Sequence, residues 1–395
     1  MKMTIGAAED EGRNADPTVA QSKVVLAKAA GFEALRVTAV WTPGQRKVPA
    51  DELQALQSIA NAGFDNGVTI YATIMPFGSR TTPLTDTARS QFAAWAADFV
   101  RRTPRIRNVI IGNEPNINRY WLPQFGPNGE DVAAQQYELL LARAYDAIKK
   151  VDRKTFVIGG SVSPHGSDRP DVSRQTHSPT AFITDLGAAY RATNRSKPIM
   201  DGFAFHPYGD NSSVPPTATH PRSTSIGIAD YDKLVGLLGA AFDGTAQRGS
   251  TLPIVYDEYG VESQIPSAKI ADYQGREPTT TKPVPETTQG EYYDEALQIA
   301  ACQPNVRAMF LFHVTDETDL NRWQSGVYYT DGTPKSTRAV VKQTIQQVRA
   351  GAVDCTATGI GANEWTLLPD VPKRPAHPAK KNRRTLDGIW QLLGS

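Results

Sequence analysis

At 395 residues, with 42 Lys plus Arg against 41 Asp plus Glu, the chain is long enough for one full-size core and has a formal net charge of +1. No long-range field therefore favours nucleic acid, no apolar run of about 18 residues could span a bilayer, and a neutral or weakly charged ligand is expected by a protein that acts as a monomer. Two cysteines, Cys302 and Cys355, are as compatible with one disulfide in an oxidising compartment as with two reduced thiols. The first residues read as a strand rather than a secretory leader, so the chain is expected to be either a trimmed extracytoplasmic protein or a cytoplasmic one.

Short β-branched runs then alternate with stretches of helical periodicity, the pattern of βα units around a parallel sheet. A first strand over 3–8 precedes a helix that Asp16 caps, that begins at Pro17 and that Gly31 follows. After a strand over 34–40, Leu53, Leu56, Ile59 and Ala60 mark a helix face that Gly63 is expected to close. Strands over 68–75, 108–112 and 156–161 follow, separated by helices whose buried faces carry Phe92, Trp95 and Phe99, then Tyr137, Leu141, Ala144 and Ile148. Phe182, Leu186 and Tyr190 mark the fifth helix, and Leu234, Leu237 and Leu238 the sixth, with a strand over 202–206 between them. The last two units pair strands over 253–256 and 306–312 with helices marked by Ala296 and Ile299, and by Val340, Val341 and Ile345.

Eight units predict a (β/α)8 barrel over residues 1–350, with long βα loops at 163–179, 209–227 and 261–288 on the face where such barrels carry their sites. Beyond Gly351 the periodicity stops. Residues 351–395, with Lys373–Arg374 and a basic run over 380–384, read as a solvated, partly disordered extension rather than a nucleic-acid arm.

The fourth strand empties into Asn113-Glu114-Pro115 and the seventh into Asp257-Glu258-Tyr259-Gly260. Strands of a barrel converge on one mouth, so two carboxylates far apart in sequence meet there. Glycoside hydrolysis needs such a pair: one carboxyl protonates the departing oxygen while the other attacks the anomeric carbon or activates water. Taken singly, Glu114 reads equally as an acid stabilising the N-terminus of a helix that starts at Pro115, and Glu258 as a solvated loop acid. Phosphate-loop, dinucleotide, nucleophile-elbow and His-Glu-x-x-His motifs are all absent, and no cofactor or metal is expected.

These positions resemble clan A glycoside hydrolases, the retaining (β/α)8 glycosidases that include families 5 and 39. Their acid/base follows strand four, typically in Asn-Glu-Pro, and their nucleophile glutamate follows strand seven. The resemblance extends over roughly residues 3–350. It implies a β-glycosidase working by double displacement, with Glu114 as acid/base, Glu258 as nucleophile and Asn113 on the sugar 2-hydroxyl. His206-Pro207-Tyr208 is similar to the clan's His-x-Tyr, and Arg36 and Trp41 fall where it often places an arginine beside the nucleophile and an aromatic sugar platform. Strand eight departs from the pattern: where many members end in tryptophan, Phe312 or His313 takes the place. Asn116, Trp121 and Trp323 are weaker candidates for contacts at the rim. An endo-acting hydrolase, a transglycosylase and an inactive carbohydrate-binding barrel are the alternative readings.

Overall fold

The computed structural model describes residues 3–356, so most of the predicted C-terminal extension, including its basic runs, lies outside the described residues. The eight strands are β1 (Thr4–Ala8), β2 (Ala34–Trp41), β3 (Thr69–Pro76), β4 (Asn108–Ile111), β5 (Phe156–Val162), β6 (Gly202–Phe205), β7 (Ile254–Tyr259) and β8 (Val306–Phe312). Each pairs in parallel with the next, and β8 pairs with β1 to close the barrel. The helices α1 (Pro17–Ala29), α2 (Ala50–Asn66), α3 (Asp86–Arg102), α4 (Val132–Val151), α5 (Pro179–Ala192), α6 (Tyr231–Phe242), α7 (Glu286–Ala301) and α8 (Thr337–Ala350) cover it.

Side-chain caps start four of these helices: Asp16 accepts from Thr18 N, Thr85 from Ala88 N, Asp131 from Ala134 N and Ser178 from Ala181 N. The second helix corrects the sequence reading. It runs past Gly63 and ends at Gly67, whose φ of 68° is the left-handed stop. Gly63 instead permits close packing, since a Cβ there would lie 2.7 Å from both Ile70 Cγ1 and the carbonyl of Val68.

Strand alternation divides the core in two. One face of each strand meets the helices, while Ala34, Tyr71, Ile110, Ile158, Ala204, Val255, Ala308 and Phe310 form a separate cluster inside the barrel. Gly6 leaves room for it, because a Cβ would approach the Phe310 ring to 2.7 Å. Two residues onward along their strands, Arg36, Thr73, His206, Asp257 and Phe312 form the next layer towards the strands' C-terminal ends. Apart from Phe312, that layer is polar.

Long loops follow the strands and short ones return to them, as predicted. The loops after β7 and β8 are clamped together by Lys335, whose ammonium donates to Asp316 Oδ1 (2.7 Å), Ser263 Oγ (2.8 Å) and the Gln324 carbonyl (3.1 Å). Cys302, capping α7, is disulfide-bonded to Cys355 beyond α8, which decides the open question of the two thiols.

Candidate active site

β7 continues three residues beyond its predicted end, so Asp257 and Glu258 lie in the strand rather than after it. Consecutive strand residues normally face opposite sides; the register shift between Tyr256 and Tyr259 lets both carboxylates reach the same site. On the opposite wall, Gly112 (φ 84°) and Glu114 (φ 40°) turn the chain sharply at the end of β4. Glu114 N donates to the Ser161 carbonyl at 2.7 Å, which anchors the turn on β5. No helix begins at Pro115. The next is α4 at Val132, which removes a helix-capping role for Glu114.

Arg36 organises the floor. Its Nη1 donates to Glu258 Oε1 (2.8 Å), its Nη2 to Asn113 Oδ1 (2.8 Å) and its Nε to Thr73 Oγ1 (2.8 Å), with Asp257 Oδ2 at 3.4 Å from Nε. Tyr208 OH donates to the other oxygen of Glu258 at 3.1 Å, so both oxygens of that carboxylate are held. His206 Nδ1 lies 3.0 Å from Glu114 Oε1 and 3.5 Å from Glu258 Oε2, which puts those two oxygens no more than 6.5 Å apart. Its Nε2 faces Ser161 Oγ (3.0 Å) and Asp257 Oδ1 (3.3 Å), and Ser161 Oγ donates to Asp257 Oδ2 at 2.7 Å.

The electrostatics follow from this packing. Burial alone would discharge the His206 imidazole, but the charges of Glu258 and Asp257 outweigh it and raise its pKa to about 10. Burial opposes ionisation of Asp257 too, yet the His206 and Arg36 cations hold it below the usual carboxylate range. Arg36 is raised above its ordinary value, since Glu258 and Asp257 overcome its burial. Tyr208 and Tyr120 are pushed upward, first by burial and then by the charges of Glu114 and Glu258.

Of the residues singled out from sequence, Glu114, Glu258, Asn113, Arg36, His206 and Tyr208 come together in this centre. Four others do not. Trp41 is fully buried, its Nε1 donating to the Gln45 carbonyl (2.9 Å) and its ring edge-on to Phe92. Five residues beyond the inward-facing Arg36, it falls on the outer face of β2. Trp121 is buried against Tyr137. Asn116, also buried, ties the loops after β4 and β5 together, donating to the carbonyls of Ser163 and His177 and accepting from Ser163 N. His313, joined to Phe312 by a cis peptide, places Nδ1 2.9 Å from the Ala8 carbonyl, while Nε2 is screened from solvent without a hydrogen-bond partner among the described residues; neither nitrogen contacts Glu114 or Glu258.

The aromatic surface beside Glu258 is built instead from Tyr208, Phe312 and Trp323, with ring centroids 5.1 Å apart for Tyr208 and Trp323 and 5.3 Å for Phe312 and Trp323. Trp323, a weaker candidate from sequence, comes from a loop where no periodicity reports direction, and the structure packs it against Tyr208 and Phe312. Sequence reasoning missed Asp257, Ser161 and Thr73 as members of the centre. Counting two residues on from Val255 and Tyr71 finds Asp257 and Thr73; the left-handed φ of 53° that turns Ser161 inward leaves no such signal.

No family model matches the chain, and no curated protein matches it in sequence. Solved structures do resemble it in fold. A family GH39 enzyme from Xanthomonas axonopodis pv. citri is 16% identical at a TM-score of 0.54, covering 86% of this chain and 65% of its own length. A GH5_18 enzyme from Streptomyces cattleya, a point variant in complex with Manβ1-4GlcNAc, is 14% identical at 0.60, covering 88% and 81%. A monomeric β-xylosidase from Caulobacter crescentus CB15 is 17% identical at 0.53, covering 87% and 67%. The chain thus spans about two thirds of the length of the GH39 enzyme, and shares with all three the closed eight-stranded parallel barrel.

Proposed function

We propose that the protein is a retaining β-glycosidase in which Glu258 attacks the anomeric carbon and Glu114 serves as acid, then base. The observation that carries this reading is the carboxylate pair bridged by His206, with oxygens no more than 6.5 Å apart. Retaining enzymes hold their carboxyls about 5–5.5 Å apart, whereas inverting ones need about 6.5–9.5 Å for an intervening water. The surroundings support the division of roles. Glu258 is fixed at both oxygens by Arg36 and Tyr208, as an in-line nucleophile requires, and Glu114 has His206 as its side-chain partner.

In the first step Glu258 Oε forms an ester to the anomeric carbon while Glu114 gives its proton to the leaving oxygen. In the second, Glu114 takes a proton from water as that water displaces Glu258. Asn113 Oδ1 is held by Arg36, which leaves its amide nitrogen to donate to the sugar 2-hydroxyl. The wall formed by the loops after β7 and β8, locked by Lys335, supports an exo-type or short-oligosaccharide preference over passage of a polymer. The Cys302–Cys355 disulfide supports an extracytoplasmic setting.

The test is covalent trapping. A panel of activated 2-deoxy-2-fluoroglycosides should leave one glycosyl ester on the peptide containing Glu258, and substrate hydrolysis followed by NMR should give product of unchanged anomeric configuration first. Inverted product at early times would overturn the mechanism, and a label on another residue the assignment.

A further inference from the structure

Hydrogen-bond geometry around His206 is best satisfied by one placement of its protons. The single proton of Ser161 Oγ goes to Asp257 Oδ2, 2.7 Å away, since Asn113 Oδ1 is distant at 3.5 Å. The Ser161 oxygen is then an acceptor towards His206 Nε2 at 3.0 Å, with Asp257 Oδ1 at ion-pair distance, 3.3 Å, on the same side. Nε2 must carry a proton. On the other side of the ring, Nδ1 lies 3.0 Å from Glu114 Oε1 and 3.5 Å from Glu258 Oε2; the ionised Glu258 only accepts, and Glu114 Oε1 accepts as well when the proton of Glu114 sits on its other oxygen, facing the leaving group. Nδ1 is protonated as well.

We propose that Asp257, acting with Ser161, is a positioning residue that keeps His206 a doubly protonated imidazolium, whose Nδ1–H serves Glu258 and Glu114 in turn through the two steps. The inference rests on the glycosidase reading for its second half only. Charge counting gives the reason. Before reaction, with Glu114 carrying the proton it will deliver, Arg36 and His206 balance Asp257 and Glu258. In the glycosyl-enzyme, Glu258 is an uncharged ester and Glu114 has become the anion, and the same two cations balance Asp257 and Glu114. The buried centre is neutral in both states provided Asp257 is ionised and His206 is charged. A proton therefore leaves Glu114 without leaving a net charge behind, and His206 never gives up either of its own.

Every group facing His206 takes part: Glu114 from the end of β4, Ser161 from β5, Asp257 and Glu258 from β7, and Tyr208 two residues along its own segment, its ring edge-on at 6.1 Å. The raised pKa of His206 agrees with this arrangement.

The experiment is 15N NMR of the full chain labelled at histidine, with His206→Gln identifying the signal. Wild-type His206 should show both ring nitrogens protonated and no titration from about pH 5 to 8, the range in which an ordinary histidine changes charge. In Asp257→Asn, if folded, its midpoint should fall into that range. Should that variant not fold, Ser161→Ala keeps the carboxylate, removes the bridge and should lower the midpoint by a smaller step. A wild-type His206 that titrates near about 6.5 overturns the proposal, as does an Asp257→Asn whose imidazolium is unchanged.

Kinetics supply the second arm. On an activated aryl glycoside, which needs little acid help in the first step, Asp257→Asn should lower kcat about tenfold more than kcat/KM, because the second step depends on Glu114 as base. Equal losses would mean a merely structural role. If wild-type protein turned over no glycoside, the glycosidase reading would fail while the protonation state of His206 stood or fell on its own signal.

Discussion

Two buried ion clusters stand on the same face of the barrel and are built to opposite ends. Around Lys335, the two charges are closed off: the three donors of Lys335 have three acceptors, Asp316 accepts from Lys335, Gly326 N and Tyr273 OH, and both charged side chains are wholly buried. Burial pushes Asp316 up and Lys335 down against their mutual attraction, the signature of a pair whose desolvation cost is large. Around Arg36, by contrast, Glu114 and Glu258 keep 14% and 12% of their side-chain surface, and both reach solvent beside the aromatic surface. A closed cluster fixes one loop against another. An open one leaves carboxylate lone pairs facing whatever enters the cleft.

That contrast is most strongly tested by removing the reactive charge. Glu258→Gln should fold normally and lose at least about four orders of magnitude in turnover, within the range of up to about 10^6 known for loss of a catalytic nucleophile. Added azide should restore part of the activity with inverted product, as followed by NMR. Full activity in the variant would make the centre as structural as the Lys335 clamp. Next in size is Glu114→Ala, expected to cost about 10^2–10^4-fold on unactivated glycosides and far less, at the glycosylation step, on aryl glycosides with good leaving groups. Equal loss on both substrate types in pre-steady-state measurements would take proton donation away from Glu114.

The clamp should answer in stability instead. Lys335→Met leaves Asp316 buried without its counter-charge and should cost about 3–5 kcal/mol in urea unfolding, whereas Lys335→Met with Asp316→Leu should recover much of that loss. Activity per folded molecule should change little beside the losses at Glu258 and Glu114. A double variant no more stable than the single one would show that the ion pair itself, not the avoidance of an unpaired charge, holds the loops.

The difference between the two clusters also explains what the sequence made legible. Eight strands, their order and the two glutamates follow from apolar runs and from the ends of β4 and β7, because barrel geometry brings any strand end to the same mouth. Arg36 and His206 are reached by counting in twos along β2 and β6. Trp41 shows the same rule applied incompletely: an aromatic near the right strand end, but on an odd count, belongs to the helix-facing core. The clamp was invisible, since Ser263, Asp316, Gln324 and Lys335 come from two loops whose mutual approach no periodicity encodes. Gly63 misled for a related reason, because a glycine that allows close packing and one that ends a helix look alike until the neighbouring strand is in place.

The smallest expected effect lies between the two clusters, at Glu262, four residues beyond Glu258 and one before Ser263 of the clamp. Its side chain is buried, Oε2 has no hydrogen-bond partner among the described residues, and burial followed by the charge of Glu277 raises its pKa from 4.5 to about 8. His206 is raised as well, but by opposite charges rather than by burial and a like charge. The sign of the stability effect is fixed by the direction of the Glu262 shift. The folded protein holds this proton more tightly than the unfolded chain, so the favourable contribution is fully present below pH 4.5 and is lost as pH rises through about 8. Between about pH 5 and 7 the loss amounts to roughly 2–3 kcal/mol if one proton is released only on unfolding. Glu262→Gln cannot ionise, so its unfolding free energy should vary less with pH over this interval and exceed that of the wild type above about pH 8. Urea denaturation of both proteins across that interval measures the difference directly. Parallel curves would mean that Glu262 is solvated or paired in solution, and that the wall beside Glu258 is more open than its packing indicates.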